Sequence, residues 1–306
     1  MNRRLRIATR KSPLALWQAE HIKAALETAH PGLEVELVGF VTSGDRWLSA
    51  PLSEVGGKGL FVKELEQAML DGTADLAVHS MKDVPAALPD PFVLGAIGYR
   101  ADVRDVLVSR TGAPLAALPE SARIGTASLR RAAQLRHLRR DLRVEPIRGN
   151  VNTRLDKLDA GDYDALVLAS AGLERLGLSG RVTEYLDLEV SLPAAGQGAI
   201  GIECRADRAD LIALLQPLND PDVARCVTAE RAVSRGLNAD CSLPVAAYAE
   251  CGERGVFVRA RVGSPDGVTL LHAEATASDP EDAGAQAADE LRARGATELL
   301  ESLHGQ

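Results

Sequence analysis

The sequence predicts an α/β chain in which two similar α/β domains are followed by a smaller α+β domain. Three observations carry that prediction. A short apolar strand of the pattern R-I-[A/G]-T followed by a capping serine occurs at 6–12 and again at 123–128. A second pair matches in the same order, "LDGTADLAVHS" (70–80) and "LDAGDYDALVLAS" (158–170). Each copy runs from a glycine-marked helix end through an aspartate and an apolar strand to a serine, which argues for a duplicated domain. From about residue 220 the duplication stops, and a helix followed by three strand-like runs takes over.

In chain order, "LRIAT" reads as a strand and "SPLALWQAEHIKAALETA" as a helix, with Ser12 as N-cap and Pro13 at the first helical position. The first copy holds about 28 more residues between its matching features than the second. The excess falls on "TSGDRWLSAPLSEVGGKGLF" (42–61), whose Gly44, Pro51, Gly56, Gly57 and Gly59 read as a lid-like loop or, equally, as a surface excursion. "DLAVHS" is the next strand of the first copy, and "RIGTASLRRAAQL" opens the second as strand, hydroxyl-rich turn and helix. "VEPI" and "DALVLAS" are its further strands. "AAGQGAIGIEC" then gives a glycine-marked turn and a buried strand, and "ADLIALLQPL" a helix. The last part reads as a helix over "DVARCVTAERAV", strands over "PVAAYAEC", "VFVRARV" and "TLLHAEATA", and one long helix from Asp279.

Composition excludes several classes. No apolar run approaches the roughly 20 residues that span a bilayer. "MNRRLRIATRKSP" has no apolar stretch of signal-peptide type, so a cytoplasmic protein without membrane contact is expected. A net charge of −8 and only ten aromatic residues disfavour nucleic acid as a partner. Cys204, Cys226, Cys241 and Cys251 form no C-x-x-C pair, and the six histidines are scattered, so no metal is expected.

The charge is uneven. Residues 123–154 hold nine arginines against Asp141 and Glu145, a local basic excess in an acidic chain that suggests a focused anion site. Ligands of doubly wound sheets bind outside the carboxyl ends of the strands, where helix N-termini favour anions. The residues at those exits are Arg10, Lys11 and Ser12; Lys82 and Asp83; Ser128, Arg130 and Arg131; Arg148, Asn150 and Arg154; and Arg175. Arg136, Arg139 and Arg140 fall near a helix end that favours cations, and a solvated face suffices for them. Arg130 and Arg131 sit at the helix start, against the dipole, and call for an anion; guanidinium forks suit carboxylates. Asp83 is a lone carboxylate amid cations, read either as a Lys82 partner in a turn or as a group that stabilises positive charge or shuttles a proton. Three cysteines look structural, whereas Cys241, in the polar run "LNADCSLPV", is read either as reactive or as inert beside Asp240.

"RIATRKSPLALWQA", "VGGKGLFVKELE", "HSMKDVP", "GTASLRRAAQL", "IRGNVNTRL", "LPAAGQGAIGIECR" and "CSLPV" occur together and in order. Over residues 3–250 the chain resembles the porphobilinogen deaminase (hydroxymethylbilane synthase) family. The resemblance implies two periplasmic-binding-protein-like α/β lobes with a central cleft plus a smaller C-terminal α+β domain. The implied divisions are 1–99 completed by 195–217, then 100–194, then 218–306. It implies a monomeric transferase that condenses four porphobilinogen molecules, with loss of ammonia through a reactive azafulvene, on a covalent dipyrromethane cofactor, and then releases the linear tetrapyrrole by hydrolysis. Cys241 would carry the cofactor through a thioether, and Asp83 would be the catalytic carboxylate. Ser80, Lys82, Asp83, Thr126, Ser128, Arg130, Arg131 and Asn150 would hold the cofactor. Arg10, Ser12, Lys58, Phe61, Arg148, Arg154, Arg175 and Gln197 would hold substrate, and the arginine excess becomes a polycarboxylate clamp. The chain departs from the family pattern at Asp240, where glycine is usual, at Glu54, where lysine is frequent, and at Asn152. A solute-binding or effector-sensing module of the same two-lobed fold would explain the duplicated halves, but neither a third domain nor Cys241.

Overall fold

The computed structural model describes residues 3–43, 62–240 and 242–304. The chain begins β1 (Arg3–Arg10), α1 (Pro13–Ala29), β2 (Leu33–Phe40), α2 (Lys63–Leu70), β3 (Leu76–Ser80) and β4 (Phe92–Gly98). It continues β5 (Asp105–Ser109), β6 (Arg123–Gly125), α3 (Leu129–Leu138), β7 (Arg143–Glu145), α4 (Val151–Asp159), β8 (Ala165–Ala169), α5 (Ser170–Arg175) and β9 (Glu184–Tyr185). Next come β10 (Ile200–Arg205), α6 (Ala209–Leu215) and α7 (Pro221–Gly236). The chain then runs β11 (Val245–Gly252), β12 (Gly255–Gly263), β13 (Leu270–Ala277), α8 (Pro280–Ala293) and α9 (Ala296–His304).

The contacts divide the chain into one unit of residues 1–100 and 198–224 and a second of residues 101–197 and 225–306. The first holds a five-stranded sheet ordered β2-β1-β3-β10-β4; the second holds one ordered β7-β6-β8-β5-β9 and a three-stranded antiparallel sheet ordered β11-β12-β13. The two larger sheets are built alike. In each, three parallel strands, β2-β1-β3 or β7-β6-β8, are followed by one antiparallel strand and then a fifth that runs antiparallel to the fourth. The fourth strand differs in origin, since β10 follows its parallel strands in sequence whereas β5 precedes them.

The duplication read from sequence has a physical counterpart in hydrogen bonds. The Asp75 amide donates to the Arg6 carbonyl at 2.8 Å while the Asp75 carboxylate accepts from the Arg6 amide at 2.9 Å. Asp164 and Arg123 make the same two bonds, at 2.8 and 2.9 Å. Each aspartate therefore clamps the entry of one parallel strand to the next. Ser12 and Ser128 both cap their helices, accepting from the Ala15 and Arg131 amides.

In the first unit, Ile7, Leu76, Ile200 and Ile202 pack under Ala19, Ile22 and Leu26 of α1. Val106, Leu107, Ile124 and Leu166 lie at the centre of the second unit's larger sheet. The small sheet buries Val256, Val258, Ala260 and Val262 against α7 and α8. The closing helix is two helices, because the chain turns at Gly295 with φ +94°, a left-handed conformation that favours glycine. Gly284 of α8 lies so close to α7 that a Cβ there would overlap the Ala229 carbonyl and the Ala232 methyl. Gly284→Val should therefore cost about 1–3 kcal/mol by overpacking. Chemical denaturation should show a lowered midpoint, and an unchanged midpoint would contradict the close approach.

Candidate functional site

In the first unit the strand exits meet at a cavity of about 50 Å³, room for a carboxylate arm or for a water or two. Arg10 ends β1, Ser12 caps α1, Ser80 ends β3, and Asp83 ends the one-turn 3₁₀ helix that follows. All four line the cavity, together with Gln18, His79 and the side walls Leu14, Ala15, Val62 and Val78. Gln18 donates to Ser80 Oγ at 2.7 Å and so fixes that hydroxyl. Lys82, half-buried in the same turn, is not among the lining residues.

The second unit brings Arg130, Arg131 and Gln197 onto a residue that the sequence did not single out. Asp105 opens β5 and is fully buried, and Arg130 and Arg131, at 4% and 6% exposure, converge on it. Oδ2 accepts from Arg130 Nη1 at 2.8 Å and from Ser191 Oγ at 2.7 Å. Oδ1 accepts from Arg131 Nε and from Gln197 Nε2, both at 2.9 Å. Burial alone would push this carboxyl up, but Arg130 and Arg131 together hold it far below the usual carboxylate range. The anion that offsets two cations at a helix start is thus supplied by the protein. Two guanidiniums face one carboxylate, and Arg130 Nε is buried with no hydrogen-bond partner. A surplus positive charge and an unused donor remain. That donor set fits a carboxylate-bearing group such as dipyrromethane.

The other candidates lie on neighbouring elements of this unit. Thr126, buried, accepts from the Ser128 amide at 3.2 Å and shapes the turn that enters α3. Gln197 is buried and uses its amide on the Val103 carbonyl, Asp105 and Arg131, which makes it a support of the arginine pair. Asn150 caps α4, accepting from the Thr153 amide at 2.9 Å. Arg148 precedes that cap, and Arg154 donates to the Gly149 carbonyl at 2.8 Å. Arg175 ends α5 and is buried. Two of the arginines assigned to a solvated face do more than that. Arg136 donates to the Pro265 and Val144 carbonyls, and Arg139 to those of Leu115 and Leu118 and to Asp141. Both tie the end of α3 to its surroundings.

Lys58, Phe61, Cys241, Glu54 and most of the glycine-rich segment lie outside the described residues. Next to position 241, Asp240 folds its carboxylate onto Ser242, accepting from the amide at 2.9 Å and from the hydroxyl at 2.5 Å. The remaining cysteines sit in elements. Burial, then Glu203, pushes the Cys204 thiol up to about 11, which keeps it unreactive near neutrality. Cys226 of α7 and Cys251 of β11 face each other with sulfurs 3.5 Å apart. Among the described residues no cluster of three His, Cys, Asp or Glu side chains could hold a metal, and no helix is long and apolar enough to cross a membrane.

A family model described as "Porphobilinogen deaminase, dipyromethane cofactor binding domain" matches residues 5–213, and its C-terminal-domain companion matches residues 224–293. The chain belongs to the porphobilinogen deaminase family. It is 55% identical over 299 residues to the porphobilinogen deaminase of Laribacter hongkongensis, with 97% of each chain covered. Similar solved structures include the VFT2 domain of Bordetella pertussis BvgS, at TM-score 0.44 and 16% identity over 75% of this chain and 90% of that one. Another is the periplasmic aliphatic sulphonate binding protein SsuA of Escherichia coli, at TM-score 0.42 and 17% identity over 78% of this chain and 71% of that one.

Removing one partner of a buried ion pair costs far more than removing a surface one. Arg130→Leu should lower stability by about 3–5 kcal/mol, whereas Arg123→Leu, whose Glu145 partner is exposed, should leave it nearly unchanged. Equal losses in chemical denaturation would contradict the buried cluster. Because the Asp105 carboxyl is depressed, its stabilisation is present above the unfolded carboxylate pKa of about 3.9 and drains as pH falls below it. Asp105→Asn should therefore flatten the acid limb of the stability curve, and an unchanged limb would assign acid unfolding to other groups.

Proposed function

We propose that the chain is a hydroxymethylbilane synthase: it condenses four porphobilinogen molecules with loss of ammonia and releases the linear tetrapyrrole by hydrolysis. The observation that carries this reading is Asp83, the carboxylate in a cavity whose other polar lining is Arg10, Ser12, Gln18, His79 and Ser80. A fixed carboxylate beside the pyrrole nitrogen of porphobilinogen stabilises the positive charge that develops as ammonia leaves. Arg10 and Ser12 hold a carboxylate arm there, and Lys58, Phe61, Arg148, Arg154 and Arg175 hold further acetate and propionate groups. Gln197 acts through Arg131.

Dipyrromethane, when bound, supplies the pyrrole end from which the chain grows. Arg130 and Arg131 meet its carboxylates with the positive charge that Asp105 leaves over, and Ser80, Lys82, Thr126, Ser128 and Asn150 are the further residues that would hold it. Cys241 carries it through a thioether. The Asp240 carboxylate, turned onto Ser242, places less negative charge on the neighbouring thiol than a free carboxylate would. The working molecule is a cytoplasmic monomer with no nucleic-acid partner, divided as 1–99 with 195–217, 100–194, and 218–306.

Intact mass should show an adduct on the wild type that is missing from Cys241→Ser, beyond the change of sulfur to oxygen. Equal masses after that correction would sink the attachment. Asp83→Asn should keep the adduct and bind porphobilinogen, while condensation slows by about 10²-fold. Normal turnover would leave Asp83 a turn-forming residue.

A further inference from the structure

Beside the cavity lies a group of buried titratable side chains for which the reading above has no use. His79, on β3, is 6% exposed and is one of the lining residues. Its Nε2 stands 2.7 Å from Oε2 of Glu203, fully buried on β10. Glu66 of α2 is buried as well, and the charges of Glu203 and His79 both act on it. Oε1 of Glu203 and Oε1 of Glu66 are buried without hydrogen-bond partners.

Two carboxylates and an imidazole withdrawn from water are too costly to hold all as ions, so the cluster keeps an exchangeable proton. Burial, then Glu203, pushes the Glu66 carboxyl above its ordinary value, in keeping with that. The other ionisable groups facing the cluster are Lys63 from α2, Cys204 from β10, Arg10 from β1 and Asp83. A mere tie between β3 and β10 needs none of this, since the two strands are already paired from Ile200↔Ser80 to Glu203↔Ala77.

We propose that His79, held by Glu203 and backed by Glu66, accepts the proton released in each condensation, so that Asp83 stays a carboxylate throughout the turn. The proposal rests on the function given above. In one turn the C–N bond of the substrate's aminomethyl group, protonated as the ammonium, breaks, and its electron pair leaves with nitrogen as ammonia. The electron-poor methylene carbon bonds to the free α-carbon of the pyrrole added in the preceding turn. The C–H bond at that α-carbon breaks, its electron pair restores the aromatic ring, and the proton passes, directly or through a water, to Nδ1 of His79. Glu203 occupies Nε2, and the proton later leaves to solvent.

The test uses holoenzyme and porphobilinogen deuterated at its free α-carbon. His79→Gln should lower kcat by about 10²-fold with little change in KM. From the second condensation onward it should also show a primary isotope effect that the wild type lacks. Wild-type turnover, or slowing without an isotope effect, would overturn the proposal. Nitrogen NMR of the His79 ring gives a readout apart from activity: Glu66→Gln should move the ring-nitrogen signals at one fixed pH, and signals indifferent to Glu66 would also overturn it. If His79→Gln fails to assemble, Glu203→Gln carries the same isotope measurement, with the same two outcomes. A wild type that consumes no porphobilinogen would instead contradict the proposed function.

Discussion

One buried carboxylate between two buried guanidiniums organises the second unit. Asp105 is drawn out of water at a cost that only Arg130, Arg131, Ser191 and Gln197 together offset. The same bonds fasten the start of α3 to β5 and to the segment 191–197. Gln134, one turn along α3, accepts from the Leu192 amide at 2.9 Å and from Arg261 Nη1 of β12 at 3.0 Å, which carries the network to the small sheet. Two cations can sit at a helix start, against the dipole, because the compensating anion is part of the scaffold. One charge of the pair remains for a ligand.

The first unit solves a different problem with the same strand order. Its exits bring Arg10, Ser12, Ser80 and Asp83 to one cavity, and among its described residues His79 and Glu203 form a buried hydrogen-bonded pair. In the proposed function, the arginine pair of one unit and the carboxylate with its neighbouring buried cluster in the other answer two demands of the chemistry. Many acidic side chains must be held while a positive charge is stabilised and a proton removed.

Much of this was legible in the sequence because it is local. The strand-turn-helix pattern, the capping serines and the aspartates at 75 and 164 recur at matching positions, so the duplication was legible in the sequence, while the Arg6–Asp75 and Arg123–Asp164 bonds came only with the structure. The exits of β1, β3, β6 and β7 could be read from the turn chemistry that follows each strand. What escaped is long-range. Asp105 opens an ordinary apolar strand, and nothing in "RDVLVS" announces two guanidiniums 25 and 26 residues away. The demand for an anion at Arg130 and Arg131 was readable, but its first source was sought in a ligand. Gln18, on the buried face of α1, and the carbonyls met by Arg136 and Arg139 were hidden for the same reason. The break at Gly295 was masked by the unbroken helical composition around it.

The central claim is that Asp105 neutralises only part of the arginine pair and leaves charge and a donor for a carboxylate-bearing cofactor. Side-chain NMR of the Arg130 guanidinium, in apoprotein and after assembly with porphobilinogen, tests this most directly. The account predicts that the Arg130 Nε–H signal moves and exchanges more slowly on assembly, while that of Arg123, paired with Glu145 at the surface, stays in place. An Arg130 signal unchanged between the two states would mean that Asp105 already satisfies the pair and that the carboxylates are held elsewhere.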